Sequence, residues 1–97
     1  MRRHVLVSYD ISDPKRWRQV YKIVRGHGKH VQYSVFLCQL TEMDEVILKE
    51  LLRDVIHQST DQVIFVRLGT IKSKAAERNI SSIGRELVPL ELKDLVF

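Results

Sequence analysis

One cysteine, Cys38, stands among 97 residues. A lone thiol excludes an internal disulfide and any zinc site made from several cysteines, and it fits a reducing cytoplasm with Cys38 as a buried core thiol. Long hydrophobic runs are also missing. The apolar stretch near the start is short and gives way to Ser8 and Asp10, so neither a signal peptide nor a membrane span is expected. There is no Walker loop, no dinucleotide glycine pattern and no nucleophile elbow, which leaves NTPase, Rossmann and serine hydrolase readings without support. No repeat, low-complexity tract or linker interrupts the chain before Gly69. A chain of this length makes one domain, residues 1–97, burying roughly 60 to 65 percent of its unfolded surface, so its core is thin and oligomerisation would help it.

What is present begins with charge. Sixteen Lys and Arg against twelve Asp and Glu give a net charge of +4, which favours polyanions such as nucleic acid without establishing one. The patterns then read strand, helix, strand, strand, helix, strand. His4 to Tyr9, Val31 to Leu40 and Gln62 to Leu68 are rich in β-branched and aromatic residues. The first helix has Asp13 or Ser12 as N-cap, Pro14 at its first position and Gly26 as its stop, with Trp17, Val20, Tyr21 and Val24 on the core face. The second is expected from about Met43 to His57, with Thr41 and Asp44 spaced as a capping box and Ile47, Leu48, Leu51, Leu52 and Val55 as its apolar stripe. Ser59-Thr60-Asp61 makes the following turn. Val31 to Leu40 is either one long bent strand or two strands meeting near Gln32 to Ser34. Two strands give β-α-β-β-α-β, the ferredoxin-like α+β arrangement, with both helices on one sheet face. The other face is a physical problem: Val5-Leu6-Val7, Val35-Phe36-Leu37-Cys38 and Val63-Ile64-Phe65-Val66 are nearly continuous apolar runs, unlike a sheet wet on one side. A second copy packed around a two-fold axis is the simplest cover. Thr70 to Asn79, with Lys72, Lys74 and Arg78, reads as a basic loop, Ile80 to Val88 as a fifth strand, and Leu90 to Phe97 as an apolar-acidic tail.

Strand alternation turns Val5, Val7 and Tyr9 toward the helices and Leu6, Ser8 and Asp10 toward the open face. There two Asp10 carboxylates from a dimer would approach each other, and magnesium commonly takes one or two carboxylates while keeping several waters. On the residues alone, Asp10 reads first as a solvated strand-end acid, since lone acids rarely signal catalysis. Asp13 is better explained as a cap than as a second ligand. On the first helix, at about 100° per residue, Lys15, Arg18, Lys22 and Arg25 gather on one flank while Arg16 lies across the Trp17 stripe. Such a ridge contacts phosphates without reading sequence, or is merely a solvated helix face. Arg67 and the basic loop add positive charge elsewhere. Ser8 and Ser34 are able to position a phosphate or water, and equally suit a close approach of two sheets. His27 and His30 flank the turn after the first helix and read as solvated turn residues; His4 and His57 are isolated.

Tyr9-Asp10-Ile11-Ser12-Asp13, the basic helix, Val31-Gln32-Tyr33-Ser34-Val35-Phe36, a second amphipathic helix and Phe65-Val66-Arg67-Leu68-Gly69, in that order, resemble the small CRISPR-associated endoribonuclease family, the second of the two general CRISPR adaptation proteins. The resemblance implies that Asp10 is the metal-binding and catalytic position, with magnesium as cofactor. It implies that Arg16, Arg18 and Phe36 stand where family residues affect nuclease action, with Tyr9 and Ser34 in support. It further implies a homodimer whose last strand crosses to the partner's sheet edge, and an assembly with CRISPR integrase dimers during spacer acquisition. Two functions follow: a magnesium-dependent endonuclease on single-stranded RNA or DNA, or a non-catalytic scaffold that holds duplex DNA between integrase dimers. A small-ligand regulatory domain of the ACT kind shares the architecture and is the weaker alternative.

Overall fold

The computed structural model describes residues 1–85. Its elements run β1 (Arg3–Asp10), α1 (Pro14–Arg25), β2 (Gly28–Gln32), β3 (Val35–Leu40), α2 (Glu42–Arg53), β4 (Gln62–Thr70) and α3 (Ala75–Asn79). The strands form one antiparallel sheet in the order β2-β3-β1-β4, the ferredoxin-like order. Of the two readings of Val31 to Leu40, the structure has two strands, broken by a turn at Tyr33 and Ser34.

Each helix starts where side-chain chemistry satisfies its free N–H groups. The Asp13 carboxylate accepts from the Arg16 N–H at 2.9 Å and Pro14 opens α1. Thr41 and Asp44 form a full capping box on α2, each side chain accepting from the other's backbone N–H at 3.0 Å. The last turn expected of α2 is absent: the helix is capped at Asp54, and Val55 and Ile56 return N–H bonds to the Leu52 carbonyl before the chain turns at His57.

The core lies between the sheet and the two long helices. Val5, Val7, Tyr9, Phe36, Cys38 and Leu40 from the sheet meet Val20, Val24, Leu48 and Leu52 from the helices, with Trp17 and Tyr21 packed at the border. Alternation along β1 therefore runs as expected. Burial pushes the Cys38 thiol up to about 12. Gly28 pairs with Cys38 across β2 and β3, and a Cβ there would lie 2.5 Å from Cys38 Sγ and 2.7 Å from the Leu37 carbonyl oxygen, so the backbones meet only because position 28 has no side chain.

Three local expectations change. On α2, Leu48 and Leu52 are buried but Ile47 and Leu51 are exposed, beside Met43 and Val46, because the helix turns Glu45 inward instead. Within the stretch read as a basic loop, Ala75–Asn79 forms the short helix α3, which packs on β4 and buries Ala76. No strand occurs at residues 80–85, and the rest of the expected fifth strand and tail, including Phe97, lies outside the described residues.

Candidate active site and nucleic-acid surface

Asp10 closes the central strand β1 and is exposed. It faces Gln62 on β4, one step beyond the pairs Ser8–Ile64 and Leu6–Val66. These residues, with Val35 and Leu37 on β3, share the sheet face away from the two long helices. That face is apolar and open to water on its β4 side, where Ile64 is 46 % exposed and Val66 42 %, while Leu37 on β3 is buried. Within the described residues no hydrogen bond or ion pair engages the Asp10 carboxylate, whereas Asp13, Asp44, Glu45 and Asp61 are all engaged. A hard cation asks for such an uncommitted carboxylate, and two copies of it would satisfy magnesium's small demand for protein ligands. No group of three or more His, Cys, Asp or Glu positioned for a metal occurs among the described residues of one chain.

The neighbours proposed to support Asp10 do other work. Tyr9 points to the opposite face, buried against Trp17 and Phe36, and its hydroxyl has no described partner; burial pushes its pKa up to about 12. Phe36 is fully buried, ringed by Tyr9, Tyr21 and His30, and no base can reach it. Ser34 ties the β2–β3 turn to the end of β1: its carbonyl accepts from the Tyr9 N–H at 3.0 Å and its hydroxyl accepts from Trp17 Nε1 at 3.2 Å. His30 is not a solvated turn residue either; its ring packs on Phe36 and Tyr21. His4 is buried, which lowers its pKa.

The basic residues divide into two sets. Arg16, across the Trp17 stripe from the ridge, pairs with Asp61, Nε to Oδ2 at 2.8 Å and an Nη to Oδ1 at 3.4 Å. Arg67 likewise grips the buried Glu45 through both carboxylate oxygens, at 3.2 and 3.1 Å, a carboxylate it shares with Lys49. Lys15, Arg18 and Lys22, by contrast, line one shallow groove with Gln19, and Arg25 continues their flank. All four are exposed, and α1 carries no acidic residue to neutralise them. Asp61 gave no local signal in the sequence, since its partner lies on another element and 45 residues away. Tyr33, exposed beside Ser34 and stacked on Trp17, carries no signal in the sequence, because turn residues seldom hold a fixed ring.

Comparison with known proteins decides what this arrangement belongs to. Residues 2–76 match the family described as CRISPR associated protein Cas2. The chain belongs to the Cas2 family. It is 36 % identical over 91 residues to the CRISPR-associated endoribonuclease Cas2 1 of Rhodospirillum rubrum, covering 94 % of this chain and 87 % of that protein. It is 31 % identical over 85 residues to the CRISPR-associated endoribonuclease Cas2 of Geobacter sulfurreducens, covering 88 % and 87 %. The crystal structure of Streptococcus pyogenes Cas2 at pH 6.5 superposes with a TM-score of 0.72 at 36 % identity, covering 84 % of this chain and 99 % of that one. The four-stranded antiparallel α+β fold is thus that of a solved Cas2. Among the described residues no helix is long and apolar enough to cross a membrane.

Proposed function

We propose that this Cas2-family chain is a metal-dependent endonuclease that works as a homodimer, with Asp10 as the catalytic carboxylate. The observation that carries the reading is the position of Asp10: an uncommitted acid at the end of a strand whose apolar face is wet in the single chain. A second copy packed on that face removes the apolar surface from water and brings the two Asp10 carboxylates toward one axis. Those two carboxylates would hold magnesium, which polarises a phosphodiester and makes its bound water a better nucleophile. Lys15, Arg18, Lys22 and Arg25 hold the strand by its phosphates, and Ser34 fixes the turn beside the end of β1. The endoribonuclease names of the relatives make single-stranded RNA the first substrate to test, with DNA second.

A second reading has its own support. The unpaired cations of α1 suit a duplex backbone as well as a single strand, so the dimer also fits a scaffold that holds duplex DNA between CRISPR integrase dimers during spacer acquisition. Asp10→Asn separates the two. The amide keeps the shape and removes the charge, so cleavage of single-stranded RNA with magnesium should vanish, as it should for wild type in chelator, while dimerisation and duplex binding persist. Cleavage that survives in repurified Asp10→Asn refutes the catalytic assignment. Wild type that never cleaves, with a mutant that still supports integration, establishes the scaffold.

A further inference from the structure

Tyr33 is 74 % exposed although its ring is held in place. It stacks on Trp17 with centroids 4.9 Å apart and planes 26° from parallel, and Trp17 stacks in turn on Tyr21 at 5.4 Å and 20°. Trp17 is pinned by its Nε1–H to Ser34, and the Tyr33 carbonyl lies 3.1 Å from His30 Nε2. The ring is thus the outermost leaf of an ordered aromatic stack, at a turn position where a small polar residue would satisfy the fold.

Its surroundings say what the ring would take. On α1, Tyr21 lies to one side of Trp17 and packs on His30 of β2, whereas Arg16 lies to the other and reaches Asp61. At about 100° per residue, Arg18 and Lys22 follow on the Tyr21 side, so the exposed ring and the groove of Lys15, Arg18 and Lys22 share the β2 flank of the molecule. A flat aromatic face beside unpaired cations is the arrangement that holds unpaired nucleotides, with bases on the ring and phosphates on the cations. Inside a duplex the base faces are already stacked on one another, and only the outer face of each terminal pair is left for a ring.

We infer that Tyr33 is a stacking platform for one unpaired base of a single-stranded nucleic acid whose phosphates run along Lys15, Arg18 and Lys22. The inference rests on the nucleic-acid-binding part of the proposed function and not on cleavage. It is therefore tested in chelator, where no strand is cut, with a single-stranded RNA oligonucleotide carrying 2-aminopurine and a blunt duplex as probes. Tyr33→Ala should weaken single-strand binding about tenfold, leave the duplex affinity unchanged, and relieve the 2-aminopurine quenching seen with wild type. Tyr33→Phe should bind like wild type and Tyr33→Leu like Tyr33→Ala. Melting curves show whether each variant is folded. The platform is refuted if folded Tyr33→Ala binds the single strand as wild type does, if it loses both probes equally, or if Leu restores what Phe restores. If wild type binds neither probe, the nucleic-acid reading itself falls and takes this inference with it, an outcome distinct from a loss confined to Tyr33.

Discussion

Arg16 on α1 and Asp61 at the entrance to β4 form a two-pronged ion pair, with Nε 2.8 Å from Oδ2 and the Asp61 side chain wholly excluded from water. Asp61 also accepts the His57 N–H at 2.8 Å, so the same carboxylate closes the turn after α2. The first arginine of α1 is a brace between three elements, and the exposed cations without a carboxylate partner on that helix are Lys15, Arg18, Lys22 and Arg25.

Acid should expose this brace. The Arg16 guanidinium, then the His57 N–H, hold the Asp61 carboxyl below the usual range; the Thr41 backbone and hydroxyl do so for Asp44, and Arg67 with Lys49 for Glu45. A carboxyl whose folded pKa is depressed contributes stability above its unfolded value, near 4, and loses it as pH falls through the folded value. Melting temperature should therefore hold above about pH 5 and drop below about pH 4. Asp61→Asn should flatten that acid limb and lower the melting temperature at pH 7 by several degrees. An unchanged acid limb would show that the pair contributes nothing.

At the alkaline end the sign reverses. Burial raises Cys38 and Tyr9 to about 12 each. The unfolded chain ionises these groups near their ordinary values while the folded chain keeps its protons, so stability present at neutral pH is lost from about pH 9 upward. Cys38→Ala should shift the onset of that loss upward by removing the lower-titrating group, whatever it costs in packing. Denaturant midpoints at pH 7 to 11 read this directly.

Phe36 separates fold from function. Phe36→Ala should cost about 3 to 5 kcal/mol, because the ring fills the space between Tyr9, Tyr21 and His30. Phe36→Leu, where folded, should bind RNA and duplex DNA with wild-type affinity. A folded Phe36→Leu that loses nucleic acid binding would mean the ring acts outside the core.

These residues also show what the sequence carries. The caps, the alternation along β1 and the inward stripe of α1 are local: each follows from neighbours a few positions apart, and each stands as expected. The misplaced face of α2 is not local. Glu45 turns inward because Arg67, 22 residues on, and Lys49 meet its charge, and Ile47 and Leu51 turn outward with that rotation. Arg16 and Asp61 fail for the same reason, since a pairing across 45 residues leaves no spacing to read. Asp10 was legible only through its motif; a strand-end acid becomes distinctive when the face behind it is seen to be apolar and exposed.

The four free cations of α1 should set the salt dependence. Each phosphate contact releases counterions, so Arg18→Ala with Lys22→Ala should weaken binding to duplexes of unrelated sequence alike and make the slope of log affinity against log salt shallower by about two. Arg67→Ala should change the slope less than the double variant does, because its guanidinium is held in place by Glu45. Titrations at several salt concentrations distinguish them, and equal slopes for wild type and the double variant would remove α1 from the interface.

The open sheet face decides whether Asp10 works alone. Ile64 and Val66 stand opposite Ser8 and Leu6 on the strand that ends in Asp10, nearly half exposed in the single chain. If a second copy covers them, burying the exposed remainder of each side chain stabilises the dimer by about 1 kcal/mol, and Ile64→Asp places a charge in that contact with nothing to pair it. The variant should be a folded monomer by light scattering at micromolar concentration, where wild type is a dimer, because on its own chain position 64 is solvated. Its cleavage should fall with its dimerisation if two Asp10 carboxylates share one metal, and should survive in the monomer if one suffices. Wild type that is itself a stable monomer would overturn both the dimer and the shared site.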